Sequence, residues 1–277
     1  MKLRVVELLL VITLPALFLA AGGVPPVGIS LATLIGGTLA AGAANAFNMI
    51  IESDIDQLMD RTSRRPIVNK EISESQAFAF ATALTVASLV IFWFFTNPLA
   101  TGLTVGAITF YVFGYTVGLK RRTSQNIVWG GIAGCLPVLI GWAAVTNSLS
   151  ATALYFFMVI FFWTPPHFWA LAIKYKVDYA AAGIPMLPVV APIAKVELQM
   201  WFHTIAMFAV SYLTIYSADL PSWSYIANTA LTVFFAIQMF SLRSSQIDKS
   251  AAKIFHGSII YLSLYSILLV AAIFITF

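Results

Sequence analysis

The sequence predicts an all-α polytopic membrane protein with nine transmembrane helices, on three observations. Of its 277 residues, 60% are hydrophobic and only 9% are charged, whereas a soluble chain carries about 25% charged residues. The mean hydropathy is +0.91. Nine stretches are apolar over the roughly 20 residues that a membrane-spanning helix needs. These features exclude a soluble enzyme, a disordered protein and a nucleic-acid-binding domain.

The nine predicted spans fill almost the whole chain. They cover residues 5–22, 28–50, 76–95, 98–118, 127–146, 151–173, 197–217, 224–242 and 255–277. The first span resembles a signal peptide because Lys2 and Arg4 precede it. Its apolar run is longer than the hydrophobic region of such peptides, and it ends in the turn sequence Gly-Gly-Val-Pro-Pro. We therefore expect one integral membrane domain over residues 1–277.

Positive charge is confined to one side of the predicted bundle. The connections after spans 1, 3, 5 and 7 hold no Lys or Arg, and all fifteen of these residues lie before span 1 or after spans 2, 4, 6 and 8. They are Lys2, Arg4, Arg61, Arg64, Arg65, Lys70, Lys120, Arg121, Arg122, Lys174, Lys176, Lys195, Arg243, Lys249 and Lys253. Because positive residues stay on the cytoplasmic side, we expect the N-terminus inside the cell and the C-terminus outside.

The end of the second span carries acidic residues in helical register. Asn48, Glu52 and Asp56 are four residues apart, so they share one helix face over roughly 12 Å, while Asp54 points elsewhere. Two carboxylates on one face at a membrane boundary repel each other. Carboxylate and amide oxygens are the ligands that Mg²⁺ prefers, so one interpretation is a magnesium site. The alternative is that the acids face water and pair with the arginines of the next connection.

A second polar cluster follows the sixth span. Pro165 and Pro166 are expected to break the hydrogen bonds of that helix, and a break at membrane depth is tolerated where it lines a cavity. His167, which follows them, is either a structural histidine or a functional group. Asp178 is either the surface partner of a nearby lysine or a second metal ligand that faces the first motif.

The connection after span 4 contains Lys120, Arg121 and Arg122. Its simplest interpretation is the positive charge of a cytoplasmic loop. Adjacent arginines also bind phosphate through paired guanidinium contacts. Acids that hold a metal, with basic residues on the same side, describe a diphosphate pocket, and the membrane accommodates a long hydrocarbon. The residues therefore predict a polyisoprenyl diphosphate as one substrate.

These motifs resemble those of the UbiA superfamily of intramembrane prenyltransferases, and within it the branch that prenylates haem. The matching strings are Asn48-x3-Glu52-x-Asp54-Ile55-Asp56-x2-Met59-x-Arg61-Thr62-x2-Arg65-Pro66, Tyr115-Thr116-x3-Lys120-Arg121, Pro165-x-His167-x-Trp169-Ala170 and Asp178-Tyr179-x3-Gly183-Ile184-Pro185-x-Leu187-Pro188-Val189. Two features depart from the family pattern. Glu52 stands where the family usually has Asp, and the second motif keeps one clear acid, Asp178, where many members have two or more.

The resemblance implies a fold, a reaction and a set of functional residues. The fold is a bundle of nine helices around a central cavity. The reaction is Mg²⁺-dependent transfer of a farnesyl group from farnesyl diphosphate to a vinyl group of haem b, giving haem O and diphosphate. The implied catalytic residues are Asn48, Glu52, Asp56, Tyr115, His167 and Asp178. The implied metal ligands are Asn48, Glu52, Asp56 and Asp178. The implied diphosphate-binding residues are Arg61, Arg65, Lys120, Arg121 and Lys174.

Three further expectations accompany this reaction. Aromatic faces would stabilise the allylic cation, and the candidates are Phe47, Tyr115 and Trp169. The active site would lie toward the cytoplasmic face of the bilayer. A haem-copper oxidase, which would use the product, is the suggested assembly partner.

Two alternatives remain open from the sequence. The first is the same chemistry with another acceptor, such as a quinone precursor or a lipid. The second is a transporter or a haem carrier without catalysis. Common transporter folds show internal repeats or broken helices in both halves, whereas the expected break lies in span 6 only.

Overall fold

The protein is built from helices that lie at the predicted spans. The structure is a computed structural model that describes residues 3–60, 62–243 and 246–276, and these residues contain no strand. The long helices are α1 (Leu3–Ala21), α2 (Val27–Ile51), α4 (Glu74–Phe95), α5 (Pro98–Thr109) with its π-helical continuation Phe110–Leu119, α6 (Asn126–Thr146), α7 (Ala151–Lys174), α10 (Ile193–Ser217), α11 (Ser222–Phe240) and α12 (Ile247–Phe274). The connections contain the short helices α3 (Ser53–Asp56), α8 (Lys176–Ala181) and α9 (Leu187–Val190), and a 3₁₀ turn, Ser241–Arg243.

Helix length and composition confirm a multi-pass membrane protein. Within the described residues, seven of the long helices are long and apolar enough to cross a membrane. The other two are α1, whose apolar part Leu9–Ala21 is shorter, and α11, whose buried residues include Ser224, Asn228 and Thr232. The number of nine crossings therefore stays a prediction.

The polar side chains of α11 and α12 face neighbouring helices. Asn228 Nδ2 donates a hydrogen bond to Ser211 Oγ of α10 over 2.9 Å, and the Tyr265 hydroxyl of α12 donates to the Ser211 carbonyl oxygen over 3.0 Å. Interhelical hydrogen bonds of this kind hold helices together where lipid offers no competing partner. These hydrogen bonds explain how the buried polar residues of α11 are accommodated inside an apolar bundle.

Helices α6 and α7 lie at the centre of the bundle. Helix α7 packs against α6, α10 and α12, while α1 packs against α6 and α12. The main core between them is filled by large buried side chains, among them Trp163, Trp169, Phe156 and Tyr261. On the other side of α6, α5 packs directly against it and α2 packs chiefly against α4. This arrangement places the two motif-bearing segments, at the ends of α2 and α5, beside α6.

The predicted break at Pro165 and Pro166 is wrong. Helix α7 runs without interruption from Ala151 to Lys174 and contains both prolines. A proline pair removes two N–H donors from the helix, but α7 is packed on several sides by α6, α10 and α12. Packing on these faces keeps the segment helical through both prolines.

Side-chain caps fix the starts of α4 and α5. Ser73 and Gln76 form a capping box at α4, with Ser73 Oγ accepting from the Gln76 amide and Gln76 Oε1 accepting from the Ser73 amide. Asn97 caps α5 by accepting from the Ala100 amide over 2.9 Å, and its Nδ2 donates to the Ala143 carbonyl of α6 over 2.6 Å. These caps satisfy amides that a helix start leaves without partners.

Candidate functional site

The acidic motif keeps its register although the helix changes direction within it. Helix α2 ends at Ile51, Glu52 has φ −103° and ψ 11°, and α3 begins at Ser53. The Glu52 amide still donates to the Asn48 carbonyl over 3.0 Å, and the Asp56 amide to the Glu52 carbonyl over 2.9 Å. The four-residue spacing of the predicted row is therefore preserved. Asn48, Glu52 and Asp56 are 1%, 0% and 1% exposed, respectively.

Each of the two buried carboxylates faces a cation from another part of the chain. Lys120 Nζ lies 2.6 Å from both oxygens of Glu52, and it donates its hydrogen bond to Oε2. Arg65 Nη1 donates to Asp56 Oδ2. The side chains of Lys120 and Arg65 are each only 14% exposed. Asp56 therefore pairs with an arginine of the next connection, as the alternative interpretation predicts. The pair is buried in the protein, however, and does not face water.

Burial makes these pairs unlike surface ion pairs. Taking a carboxylate out of water is costly unless a cation accompanies it, so Glu52 and Asp56 require positive charge beside them. Burial lowers the pKa of the Lys120 ammonium, and the Glu52 carboxylate opposes that shift. The site is therefore a small region in which charges are weakly screened by water.

Asp54 belongs to a separate, exposed ion pair. Its carboxylate accepts two hydrogen bonds from the Arg121 guanidinium, over 2.8 and 2.7 Å. The Asp54 side chain is 62% exposed. The bond from Arg121 lowers the pKa of Asp54, and Asp54 raises the pKa of Arg121. The prediction that Asp54 points away from the motif is confirmed, and Arg121 is engaged with it.

A π-helical segment brings Lys120 and Thr116 to the acidic motif. The segment Phe110–Leu119 continues α5, and the Lys120 amide donates to the Tyr115 carbonyl, five residues earlier, over 2.9 Å. Asn48 Nδ2 donates to Thr116 Oγ1 over 3.1 Å. Asn126 Nδ2, from the start of α6, donates to the Lys120 carbonyl over 3.1 Å. π-Helical turns often occur at functional sites, and this one positions a row of polar side chains.

The connections after α2 and α7 pack on each other above the motif. Ile55 and Met59 share a buried apolar cluster with Tyr179, Ile184 and other residues of α8 and the following loop. The two segments that carry the motifs therefore pack against each other. Thr62 Oγ1 donates to the Asp56 carbonyl over 2.9 Å and ties the acidic segment to its own loop.

A cavity of about 220 Å³ lies beneath this layer. Its wall combines the π-helical segment, α6, α7, α8 and α1, and most of its lining is apolar. The lining residues are Leu9, Ile12, Tyr111, Tyr115, Lys120, Ile127, Gly130, Gly131, Gly134, Ile160, Trp163, Thr164, Phe168, Leu171, Tyr179, Met186 and Leu262. Lys120 lines the cavity while Glu52 and Asp56 do not, so Lys120 lies between the Glu52 carboxylate and the cavity.

A second, apolar cavity of about 120 Å³ adjoins the first. The two share Leu9, Tyr111 and Gly134 in their walls. Small residues of α2, including Gly37 and Ala41, line the second cavity. We call the larger space the polar-end cavity and the smaller one the apolar cavity. Together they form an adjoining pair, and among the described lining residues Lys120 is the cation at the polar end.

The donor atoms at the motif fit a divalent cation. Glu52 Oε1 and Asp56 Oδ1 are buried and accept no hydrogen bond, although Glu52 Oε1 lies 2.6 Å from Lys120 Nζ. Two carboxylates and the amide oxygen of Asn48 are hard ligands of the kind that Mg²⁺ takes, with water or phosphate completing its shell. In the described part of the chain, no three acidic, His or Cys side chains are grouped closely enough to hold a metal.

Asp178 and Lys174 lie away from this group. Asp178 is partly exposed on α8, and the buried residue of that helix is its neighbour Tyr179. The structure thus does not bring Asp178 together with the two buried acids. Lys174 is exposed, with its ammonium 5.6 Å from the ring centroid of Tyr175. Arg61 lies outside the described residues.

His167 occupies a packed position between α7 and α12. Its ring stacks between Trp163, at 4.2 Å, and Phe255, at 4.5 Å. Its Nδ1 lies 2.8 Å from Ser258 Oγ. His167 is 5% exposed and is not among the residues that line the polar-end cavity. Its neighbours Trp163 and Thr164 line the cavity instead.

One of the three predicted aromatic faces lies on the cavity wall. Tyr115 lines the polar-end cavity, with its ring 5.6 Å from that of Tyr111. Phe47 packs edge-on against Phe78, and Trp169 is fully buried in the main core. The backbone of Gly130 provides the space for Tyr115, because a Cβ at position 130 would lie 2.2 Å from Tyr115 Cδ2.

Sequence reasoning missed several residues that build the site. Thr116 and Asn126 hold Asn48 and Lys120 in place, while Tyr111 and Trp163 shape the cavities. Thr116 belongs to the string Tyr115-Thr116-x3-Lys120-Arg121, so this motif could have identified it as a site residue. The contact of Lys120 with the acidic row depends on the π-helical register, which an α-helical period does not predict.

Comparisons with known proteins agree with this architecture. The model of the UbiA prenyltransferase family matches residues 9–274. A protoheme IX farnesyltransferase of Leifsonia xyli is 50% identical over 95% of this chain and 87% of its own length. A protoheme IX farnesyltransferase of Pseudarthrobacter chlorophenolicus is 49% identical over 97% of this chain and 86% of its own length.

Solved structures show the same fold at much lower identity. A digeranylgeranylglyceryl phosphate synthase superposes with a TM-score of 0.79 at 16% identity, covering 98% of both chains. A UbiA homolog from Archaeoglobus fulgidus bound to DMAPP and Mg²⁺ superposes with a TM-score of 0.71 at 15% identity, covering 97% of both chains. The family match and the sequence relatives together show that the chain belongs to the UbiA prenyltransferase family.

Proposed function

We propose that the protein is a Mg²⁺-dependent protoheme IX farnesyltransferase. It transfers the farnesyl group of farnesyl diphosphate to a vinyl group of haem b and yields haem O and diphosphate. The observation that carries the proposal is the buried pair Glu52 and Asp56, held in register with Asn48 and joined to the polar-end cavity through Lys120. Relatives of that name at about half identity over nearly the whole chain support the choice of acceptor.

Asn48, Glu52 and Asp56 are the residues that would hold the magnesium ion. The two buried carboxylate oxygens that accept no hydrogen bond, Glu52 Oε1 and Asp56 Oδ1, support this assignment, as does the Mg²⁺ bound in a homolog of the same fold. When bound, the metal neutralises charge on the diphosphate and makes it a better leaving group. Asp178 is left out of this ligand set because it lies apart from the two buried acids.

Lys120 and Arg65 are the described residues that would bind the diphosphate. Lys120 is the cation on the cavity wall among the described lining residues, and Arg65 lies beside Asp56. Their positive charge would stabilise the leaving diphosphate, which is electrostatic stabilisation of charge that develops in the transition state. Arg61 stays in the proposed set from its place in the motif. Arg121 and Lys174 are dropped, since Arg121 binds Asp54 and Lys174 is exposed elsewhere.

The cavity walls suit a carbocation that must be kept from water. Breaking the C–O bond of farnesyl diphosphate leaves an allylic cation, and Tyr115 and Trp163 present aromatic faces to the cavity in which it would form. Aromatic faces attract cations, and an apolar wall limits early capture by water. The apolar cavity would take part of the farnesyl chain, because its lining is made of small and apolar residues of α2, α5 and α6.

The acceptor step completes the balance of atoms. The vinyl group of haem attacks the allylic cation and forms the new carbon–carbon bond. The positive charge then lies on the carbon next to the porphyrin ring. A water molecule adds to that carbon and loses a proton, which gives a hydroxyethylfarnesyl group. The confinement of the basic residues to alternate connections supports a site toward the cytoplasmic face.

A product assay tests the proposal. Purified protein is supplied with haem b, farnesyl diphosphate and Mg²⁺, and the haem is extracted and analysed by mass spectrometry. The expected haem is heavier by one farnesyl group plus one water, and it should not form without Mg²⁺. Parallel reactions contain an aromatic quinone precursor or a lipid acceptor. Unmodified haem with prenylation of another acceptor would reject the haem assignment, and no product with any acceptor would favour a carrier.

A further inference from the structure

Each of the two buried carboxylates is paired with one of the protein's own cations, and one of these, Lys120, lines the polar-end cavity. Lys120 Nζ lies 2.6 Å from both oxygens of Glu52, and Lys120 also lines the polar-end cavity. Arg65 Nη1 pairs with Asp56 Oδ2, and Arg65 lies in the connection that follows the acidic motif. Each acid therefore already has one positive partner. The oxygens that a metal would use lie within these two ion pairs.

A metal ion and these cations compete for the same oxygens. A dication placed between Glu52 and Asp56 would lie close to the Lys120 ammonium and the Arg65 guanidinium, and like charges repel strongly where water is scarce. Metal binding is therefore expected to displace both side chains from the carboxylates. A displaced cation that stays buried needs another anion, and the diphosphate is the anion that the proposed reaction brings to the metal.

We propose that Lys120 and Arg65 exchange partners when the substrate binds, moving from the carboxylates to the diphosphate as the metal takes their place. The proposal rests on the function proposed above and adds a binding order to it. Metal alone binds weakly, because it must leave two buried cations unpaired. Metal and diphosphate bind cooperatively, because each supplies the partner that the other releases. Lys120 and Arg65 are then positioning residues that set metal affinity as well as groups that contact diphosphate.

The geometry of the two side chains allows such an exchange. Lys120 follows the last residue of the π-helical segment, where its backbone is held by Asn126. Its four-carbon chain can turn about this fixed point toward the cavity that it already lines. Arg65 lies in the connection between α3 and α4, and its backbone amide bonds to the Thr62 carbonyl over 3.1 Å. Neither movement requires a helix to shift.

The neighbouring ion pair provides a matched control. Arg121 follows Lys120 directly, and it too binds an acid of the motif, Asp54. That pair is at the surface, with side chains 38% and 62% exposed, and water can replace either partner. Removing Arg121 takes one positive charge from the same loop without uncovering a buried carboxylate.

The test measures metal affinity rather than turnover. Mn²⁺ is titrated into the detergent-purified protein by calorimetry and by electron paramagnetic resonance, with and without inorganic diphosphate at a fixed free Mn²⁺ concentration. We expect diphosphate to raise Mn²⁺ affinity in the native protein by a factor within the usual coupling range of roughly 5–150. Lys120→Met should bind Mn²⁺ alone about tenfold more tightly and lose most of this coupling. Arg121→Met should match the native protein in both respects.

Further variants keep the test decisive if one protein is unstable. Lys120→Arg retains a cation and should retain weak binding of Mn²⁺ alone. Arg65→Met removes the other screening cation and should tighten Mn²⁺ binding as Lys120→Met does. The double variant Lys120→Met with Glu52→Gln has no uncompensated charge, so it should fold and show no gain in affinity.

The outcomes separate the inference from the function on which it rests. Equal or weaker Mn²⁺ binding in both Lys120→Met and Arg65→Met, with cooperative binding intact, would overturn the exchange and leave the metal site standing. Tighter binding in Arg121→Met as well would overturn it too, because a general loss of positive charge would then explain the effect. An absence of Mn²⁺ binding in the native protein, even with diphosphate, would reject the metal site and the exchange together.

Discussion

The Lys120 ammonium lies 2.6 Å from the Glu52 carboxylate across 68 residues of sequence. This contact joins the end of α2 to the end of the π-helical segment and links the acidic row to the polar-end cavity. Lys120 therefore contacts the proposed metal ligand Glu52 and also lines the cavity that we propose for the substrate. The following predictions test the surroundings of this contact.

Thr116→Val should weaken the metal site without removing a ligand. Thr116 Oγ1 accepts the 3.1 Å hydrogen bond from Asn48 Nδ2, and losing one such bond costs about 1 kcal/mol. We expect the Mg²⁺ concentration for half-maximal activity to rise about fivefold, with little change in the rate at saturating Mg²⁺. Thr109→Val, at an exposed position of α5, is the control. An unchanged Mg²⁺ requirement in Thr116→Val would show that Thr116 does not position Asn48.

Gly130→Ala should move Tyr115 away from the cavity wall. The added Cβ would lie 2.2 Å from Tyr115 Cδ2, and overfilling a packed site costs about 1–3 kcal/mol. Misplacing a cavity residue by about 1 Å lowers a rate by up to roughly 10²-fold. Gly106→Ala, which meets no atom within 4 Å, should retain activity. Turnover and melting temperature of both variants check this, and equal turnover would remove Tyr115 from the reaction.

His167→Phe should affect stability more than chemistry. A phenyl ring can keep the stack between Trp163 and Phe255 but loses the contact with Ser258 Oγ, and losing one buried hydrogen bond costs about 1 kcal/mol. The melting temperature should fall while turnover per folded molecule is largely kept. A large loss of turnover at an unchanged melting temperature would instead support the catalytic role that the motif predicts.

The membrane orientation is tested with reporters. The confinement of Lys and Arg to alternate connections predicts that a reporter inserted near Arg122 is cytoplasmic and that one fused after Phe277 is external. A phosphatase and a fluorescent protein at each position distinguish the two sides. Both reporters on one side would contradict nine crossings.

Much of the fold and part of the site are predictable from local sequence. The long apolar runs place the helices, because the requirement for internal backbone hydrogen bonding in a membrane leaves little alternative. The four-residue spacing of Asn48, Glu52 and Asp56 predicts that they share one face, whereas their burial comes from the fold. The exposure of Asp54 follows from the same period.

The remaining features depend on contacts between distant segments. The pairing of Glu52 with Lys120 follows from a π-helical register that no period in the sequence reveals. Pro165 and Pro166 suggest a break, but packing against α6, α10 and α12 overrides their local preference. His167 stands in a motif, yet the rotation of α7 directs Thr164 and Trp163, rather than His167, to the cavity.

Two neighbouring substitutions test whether the buried acids hold the metal. Asp56→Asn and Asp54→Asn each remove one negative charge from the same short helix with almost no change in volume. Asp56 is 1% exposed and beside the proposed metal, whereas Asp54 is a surface partner of Arg121. Glu52→Gln should behave like Asp56→Asn, and Glu52→Asp should be milder because it restores the ligand usual in the family.

The most direct measurement is the rate of haem farnesylation in Asp56→Asn and Asp54→Asn at saturating substrates, with Mg²⁺ titrated. We expect Asp56→Asn to lose roughly 10²–10³ in rate, about 3–4 kcal/mol, as when one electrostatic contact to developing charge is removed. Asp54→Asn should stay near the native rate, since surface changes usually fall within about 0.5 kcal/mol. Near-native rates and an unchanged Mg²⁺ requirement in Asp56→Asn would contradict the metal site.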